Sequence, residues 1–222
     1  MSLRGITADM DRGACAPSAV PAHHWRELFS RRTLILASQS PRRRDLLDEV
    51  GVPHRVLPSN HDEAEPAECE PPWDFVVRAA RQKAARIAAG VDSGLIVAAD
   101  TVVVLDGCIL GKPGDQEAAR MMLRRLSGRT HDVYTGLALC LQPERHWIDG
   151  WERTKVDFVS IAAADIDAYV AGGDPLDKAG AYGIQGVPAL WIPRIEGAYD
   201  TVVGLPRARL YQLAQALYGH IG

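Results

Sequence analysis

Three consecutive arginines follow a serine-rich turn at Ser38-Gln39-Ser40-Pro41-Arg42-Arg43-Arg44. The run before them, Thr33 to Ala37, is short and apolar and reads as a strand. Ser40 and Pro41 suit the cap and first position of a helix running to about Val50. Such a junction offers unpaired backbone N–H groups carrying partial positive charge. Arg42 and Arg43 add planar guanidinium forks, which fit phosphate oxygens. Cations are disfavoured at a helix N-terminus, so three of them there argue for a bound anion. An ordinary capped helix with solvated arginines is the alternative.

Asp100 sits between Val97-Ala98-Ala99 and Thr101-Val102-Val103-Val104. A carboxylate in a buried strand is costly unless it is paired or bound to a metal. General base and magnesium ligand are the useful roles, a structural ion pair the plain one. Lys83 lies on the row Phe75, Ala79, Lys83, Ile87 of a helix predicted from Trp73 to Ala89, on its apolar stripe. It either snorkels past the core edge or points its charge at a phosphate or carboxylate. Lys112, in Gly111-Lys112-Pro113, lacks the spacing of a P-loop and by itself reads as an exposed turn lysine. The stretch from Asp177 to Gly186 holds three glycines that let backbone approach a ligand, and Gln185, whose amide can both donate and accept to a base edge; a long surface loop is the alternative. Asp62 and Glu63 belong to an acidic run, either solvated or placed beside a divalent ion.

These residues need elements to hold them. The pattern predicts strands at Thr33 to Ala37 and His54 to Leu57, then the lysine helix. A strand from Leu95 to Leu105, interrupted by Asp100, turns at Asp106-Gly107 into the strand Cys108 to Leu110. An amphipathic helix from Asp115 to Leu126 follows, then two strands able to pair, His131 to Leu141 and Trp151 to Ile161. A short helix (Asp165 to Ala171), the glycine-rich loop, a strand (Ala189 to Ile195) and a last helix (Pro206 to Tyr218) complete the chain. Hairpins mixed with crossover helices give an α/β protein with a mixed sheet. Residues 1–30 lack this regularity and read as a tail with some helix near His24 to Phe29; residues 31–222 form the domain.

Composition narrows the function classes. The net charge of −3 gives no basic excess for nucleic-acid binding, and no aromatic-basic motif is present. No apolar run reaches the ~18 residues of a membrane span. Cys15, Cys69, Cys108 and Cys140 form no CxxC pair and read as free thiols of a reducing cytoplasm.

Taken in order, LILASQSPRRRDLL, the Asp62-Glu63 pair, RQKAA, AADTVVVLDGCILGKP, MMLRRLSGRTHDVYTGLAL, DPLDKAGAYGIQG and VVGLP resemble the Maf family. They span Leu34 to Pro206. The resemblance implies an elongated α/β fold with a central cleft, often a dimer. It also implies a nucleoside triphosphate pyrophosphatase using a divalent cation, Mg²⁺ or Mn²⁺. On it, Ser38, Arg42 and Arg43 bind triphosphate, Asp100 accepts the proton of the attacking water, and Glu63, Lys83 and Lys112 match further active-site positions. Glu63 and Asp100 are the metal-ligand candidates. Arg42, Thr101 and Gln185 match the branch that prefers dTTP and UTP. Val187-Pro188 and Ala198-Tyr199-Asp200 depart from the family pattern near the base end.

Overall fold

Two long strands organise the chain in this computed structural model, which describes residues 24–59 and 65–219. Their apolar, β-branched runs form β3 (Gly94–Leu105) and β5 (Thr130–Gln142), which pair antiparallel from Gly94 opposite Gln142 to Val104 opposite Asp132. On the far side of β5, β6 (His146–Asp157) continues the antiparallel sheet, and the short β7 (Arg194–Glu196) closes that edge. On the near side, β1 (Leu34–Leu36) lies parallel to β3, and β2 (His54–Val56) parallel to β1. The order is β2-β1-β3-β5-β6-β7, with β4 (Cys108–Leu110) also beside β3. This is the mixed α/β sheet expected from the sequence.

The edge of β3 has a gap. β1 covers only Leu95 to Val97 and β4 only Val103 to Leu105. The Val97 carbonyl accepts from Ala37 and the Leu95 N–H donates to Thr33, so odd-numbered residues point their backbone toward this edge. By the period of two, Ala99 and Thr101 present N–H and C=O groups to the gap.

Side chains of β3 divide between two faces. Ile96 and Ala98 pack with Ala80 and Ala84 of α3 (Pro72–Ala88). Val97 and Ala99 face a larger core with α2 (Pro41–Glu49) and α7 (Arg207–Gly219). α1 (His24–Ser30), within the stretch read as a tail, adds buried Leu28 and Phe29 to that core. A third cluster joins α4 (Gln116–Leu126) and α5 (Ala163–Ala171) to the distal ends of β3 and β5.

Gly136 of β5 explains how α3 comes so close. A Cβ there would lie 2.4 Å from the carbonyl carbon and oxygen of Val76, so only glycine admits the helix backbone. The Asp106-Gly107 turn has φ of 53° and 76°, the doubly left-handed form that a two-residue hairpin needs.

Four expectations change. β3 runs through Asp100 without interruption, because the register with β5 is unbroken there. β6 begins at His146 and ends at Asp157; beyond it Phe158 and Val159 bond instead to Arg129 and Trp191. The strand expected over Ala189 to Ile195 is mostly a tight 3₁₀ turn, Val187–Trp191, with Pro188 in its first turn, and only Arg194–Glu196 joins the sheet. A short helix, α6 (Tyr199–Val203), was not anticipated.

Candidate active site

At the gap in the β3 edge a cleft of about 660 Å³ opens between the start of α2, the α3 face and the loop from Asp174 to Gln185. Its size suits a nucleotide-scale ligand. Ser38, Arg42, Arg43, Lys83, Asp100, Thr101, Lys112 and Gln185 all line it. Asp62 and Glu63 lie outside the described residues.

Asp100 and Thr101 are adjacent, so their side chains leave β3 on opposite faces. Asp100 turns toward α3, where the Lys83 ammonium donates to its Oδ1. Both side chains are 17% exposed, so the pair stands at the cleft floor and not in the core. Lys83 reaches it because α3 packs tightly over Gly136, the residue opposite Asp100 on β5. The inward-pointing alternative for Lys83 is therefore the one realised.

The two arginines after Pro41 have different surroundings. Arg43 is half-buried; its Nε donates to the Gly204 carbonyl at 2.7 Å, Nη1 to Ser38 Oγ at 3.2 Å and Nη2 to Thr101 Oγ1 at 3.2 Å. Burial pulls its pKa below the usual arginine value, the charge of Asp100 opposes that, and Arg42 adds to it. Arg42 instead stands at the rim, 3.7 Å from Asp177 Oδ2. Ser40 occupies the cap position of α2 without a side-chain cap bond; its N–H donates to Ser38 Oγ at 3.2 Å.

The glycine-rich loop is fastened from within. Lys178 Nζ donates to Asp177 Oδ1 at 2.7 Å and to Asp174 Oδ1 at 2.9 Å, and Tyr169 donates to Asp174 Oδ2 at 2.8 Å. Burial would raise the Asp174 pKa, but the bonds from Lys178 and Tyr169 outweigh it and hold it below the ordinary value. Gly180 donates its N–H to the Gly111 carbonyl at 3.0 Å, which seats the loop beside Lys112. Its φ is 66° and a Cβ would lie 2.8 Å from Val103, so this contact also requires glycine. Neighbouring Tyr182 bonds to buried His131, whose Nε2 is 2.6 Å from its hydroxyl.

The chain matches the Maf-like protein family over residues 33–217. It belongs to the Maf family. A relative from Anaeromyxobacter sp., named dTTP/UTP pyrophosphatase, is 49% identical over 184 residues, covering 81% of this chain and 87% of that protein. One of the same name from Carboxydothermus hydrogenoformans is 45% identical over 179 residues, covering 81% and 95%. Among solved structures, the Staphylococcus aureus Ham1 protein aligns at 14% identity and TM-score 0.40, covering 57% of this chain and 72% of that one. The Maf match contains every cleft residue named above, from Ser38 to Gln185.

Sequence reasoning missed three groups that hold the side chains of this Maf cleft: Gly204, whose carbonyl holds Arg43; Asp177 as the partner of Arg42; and Thr135, which bonds Thr101 across the strands. A threonine within an apolar strand gives no local signal, and the carbonyl of a glycine gives none at all.

Proposed function

We propose that this chain hydrolyses nucleoside triphosphates, dTTP and UTP foremost, to the monophosphate and pyrophosphate. The observation that carries this is the Asp100–Lys83 pair at the floor of a cleft whose walls bear Arg42, Arg43 and Lys112. The names of the 49% and 45% identical relatives support the substrate class.

Asp100 accepts the proton of a water that attacks the α-phosphorus. Lys83 occupies Oδ1, which leaves Oδ2 to receive that proton. The N-terminus of α2, Arg42 and Lys112 bind the triphosphate and offset the charge that moves onto the leaving pyrophosphate; positioned cations are the main machinery of such transfers. Arg43 holds the wall in shape through its bonds to Gly204, Ser38 and Thr101. Thr101 and Gln185 face the nucleoside.

A divalent ion fits the donor set. Asp100 is at the floor and Glu65 and Asp177 line the walls, while among the described residues no three acidic, His or Cys groups converge. Mg²⁺ or Mn²⁺ would thus be held by one or two carboxylates together with substrate phosphates, the usual habit of magnesium. Asp100, with Glu63, would supply them, and the ion would neutralise triphosphate charge. The resemblance also motivates a homodimer, and the unpaired cysteine pattern a cytoplasmic setting; no helix among the described residues is long and apolar enough to cross a membrane. The net charge of −3 favours a small-molecule partner over nucleic acid.

The test is product analysis with dTTP, UTP, CTP, GTP, ATP and 7-methyl-GTP in magnesium, separated by anion exchange. Monophosphate plus pyrophosphate, best from dTTP or UTP, is the expected result. Diphosphate plus orthophosphate would overturn attack at the α-phosphorus.

A further inference from the structure

Four groups on the Thr101 face of the sheet form a hydrogen-bond chain with one allowed direction. Arg43 Nη2 lies 3.2 Å from Thr101 Oγ1, Thr101 Oγ1 lies 2.9 Å from Thr135 Oγ1, and Thr135 Oγ1 lies 2.7 Å from the Thr201 carbonyl. The register explains the middle contact: Thr101 and Thr135 are directly opposed on β3 and β5. Both ends of the chain are chemically fixed, because a guanidinium only donates and a carbonyl only accepts. The Thr201 carbonyl needs this donor. In a longer helix it would accept from the N–H of Leu205, but α6 ends at Val203 and that N–H goes to the Asp200 carbonyl. Thr135 and Thr201 are fully buried, so water does not substitute.

The single proton of Thr135 is therefore committed to Thr201. Thr101 must donate its own proton to Thr135, and one of its lone pairs is taken by Arg43. What Thr101 has left for the cleft is one lone pair and no proton. A phosphate oxygen, itself only an acceptor, cannot be its partner; a ligand N–H or O–H can. The wall beside it is apolar: Ile184 and Val203 belong to the same core cluster as Val97 and Ala99, Val202 packs against it, and Gln185 follows Ile184. Apolar side chains beside an amide suit a nucleobase better than a charged group.

We propose that Thr135 is a positioning residue for base selection. Through Thr101 it presents an acceptor to the base edge, which favours the imide N–H of uracil or thymine over the bare N3 of cytosine. The proposal rests on the pyrimidine triphosphate reading above and adds the group that sets its selectivity.

The test compares UTP with CTP, both as kcat/KM and as affinity by calorimetry without added metal, in the wild type, Thr135→Val, Thr135→Ser and Thr101→Val. One lost hydrogen bond predicts that the wild-type preference for UTP falls roughly tenfold in Thr135→Val. Thr135→Ser, which keeps the hydroxyl, restores it. Thr101→Val loses it to the same extent, and the double variant loses no more, as expected of two residues in one chain. Thr101→Val carries the test alone if Thr135→Val does not fold. A folded Thr135→Val or Thr101→Val with the wild-type ratio overturns the proposal, as does a wild type that treats UTP and CTP alike. Binding with selectivity but no cleavage would instead sink the hydrolase reading and leave this one standing; binding of neither nucleotide would sink both.

Discussion

The two faces of β3 differ at consecutive residues. On the α3 face, Asp100 meets one hydrogen-bond partner among the described residues, a lysine at the end of a long side chain, in a half-open setting. On the other face, Thr101 is held by half-buried Arg43 and fully buried Thr135, both bonded onward to backbone carbonyls. A group that must take and release a proton needs a free lone pair and room for water. A group that reads a base needs a fixed direction. One strand meets both needs because its side chains alternate, and the gap in its edge lets both faces share a cleft.

The largest effect that separates the faces is expected from Asp100→Asn. Turnover should fall by about 10³-fold or more while nucleotide affinity, measured by calorimetry, persists. Near-normal turnover would remove Asp100 from the chemistry. Gly136→Ala attacks the same face through its backbone. The methyl group would lie 2.4 Å from Val76, and overpacking of this kind costs about 3 kcal/mol. Thermal unfolding should show the loss, and soluble protein that survives should lose activity as Lys83 is pushed from Asp100.

Arg43→Lys tests the opposite face. The fork to Gly204, Ser38 and Thr101 collapses to a single ammonium, with an expected loss of about 2 kcal/mol from unpaired buried acceptors. Denaturant unfolding measures it; an unchanged midpoint would mean that the fork is not holding the wall. The smallest effect concerns pH. Burial holds the His131 pKa at about 4, against an ordinary 6.5, although Asp132 and Asp157 oppose the shift. Between these values the unfolded chain binds more protons, so this contribution is complete above 6.5 and is lost as pH falls toward 4. Lowering the pH from 7 to 5.5 should cost roughly 1 kcal/mol, seen as a drop in Tm, and His131→Gln should flatten that slope.

The sequence made the Asp100 face far more legible than the Thr101 face. A carboxylate among valines and a lysine on an apolar stripe each break a pattern, and the structure brings those two together. The Asp106-Gly107 hairpin was readable because few residues accept two positive φ angles in succession. Thr135, Gly204 and the Arg42–Asp177 contact break no pattern; their roles come from register and from chain segments far apart in sequence. The strand expected at Ala189 to Ile195 failed for a related reason: an apolar run does not distinguish strand from 3₁₀ turn, and Pro188 decided it. Glu63 lies outside the described residues, so its placement rests on the resemblance alone.

The break in the β3 ladder should also be visible without any ligand. Asp100 and Val102 direct their amides to β5, whereas the amide of Thr101, a cleft-lining residue, points to the gap with no hydrogen-bond partner among the described residues. Hydrogen exchange along this one strand should then be slow at Asp100 and Val102 and fast at Thr101 between them. A molecule seated in the cleft would slow Thr101 and leave its two neighbours as they were, so one amide on the strand would report occupancy.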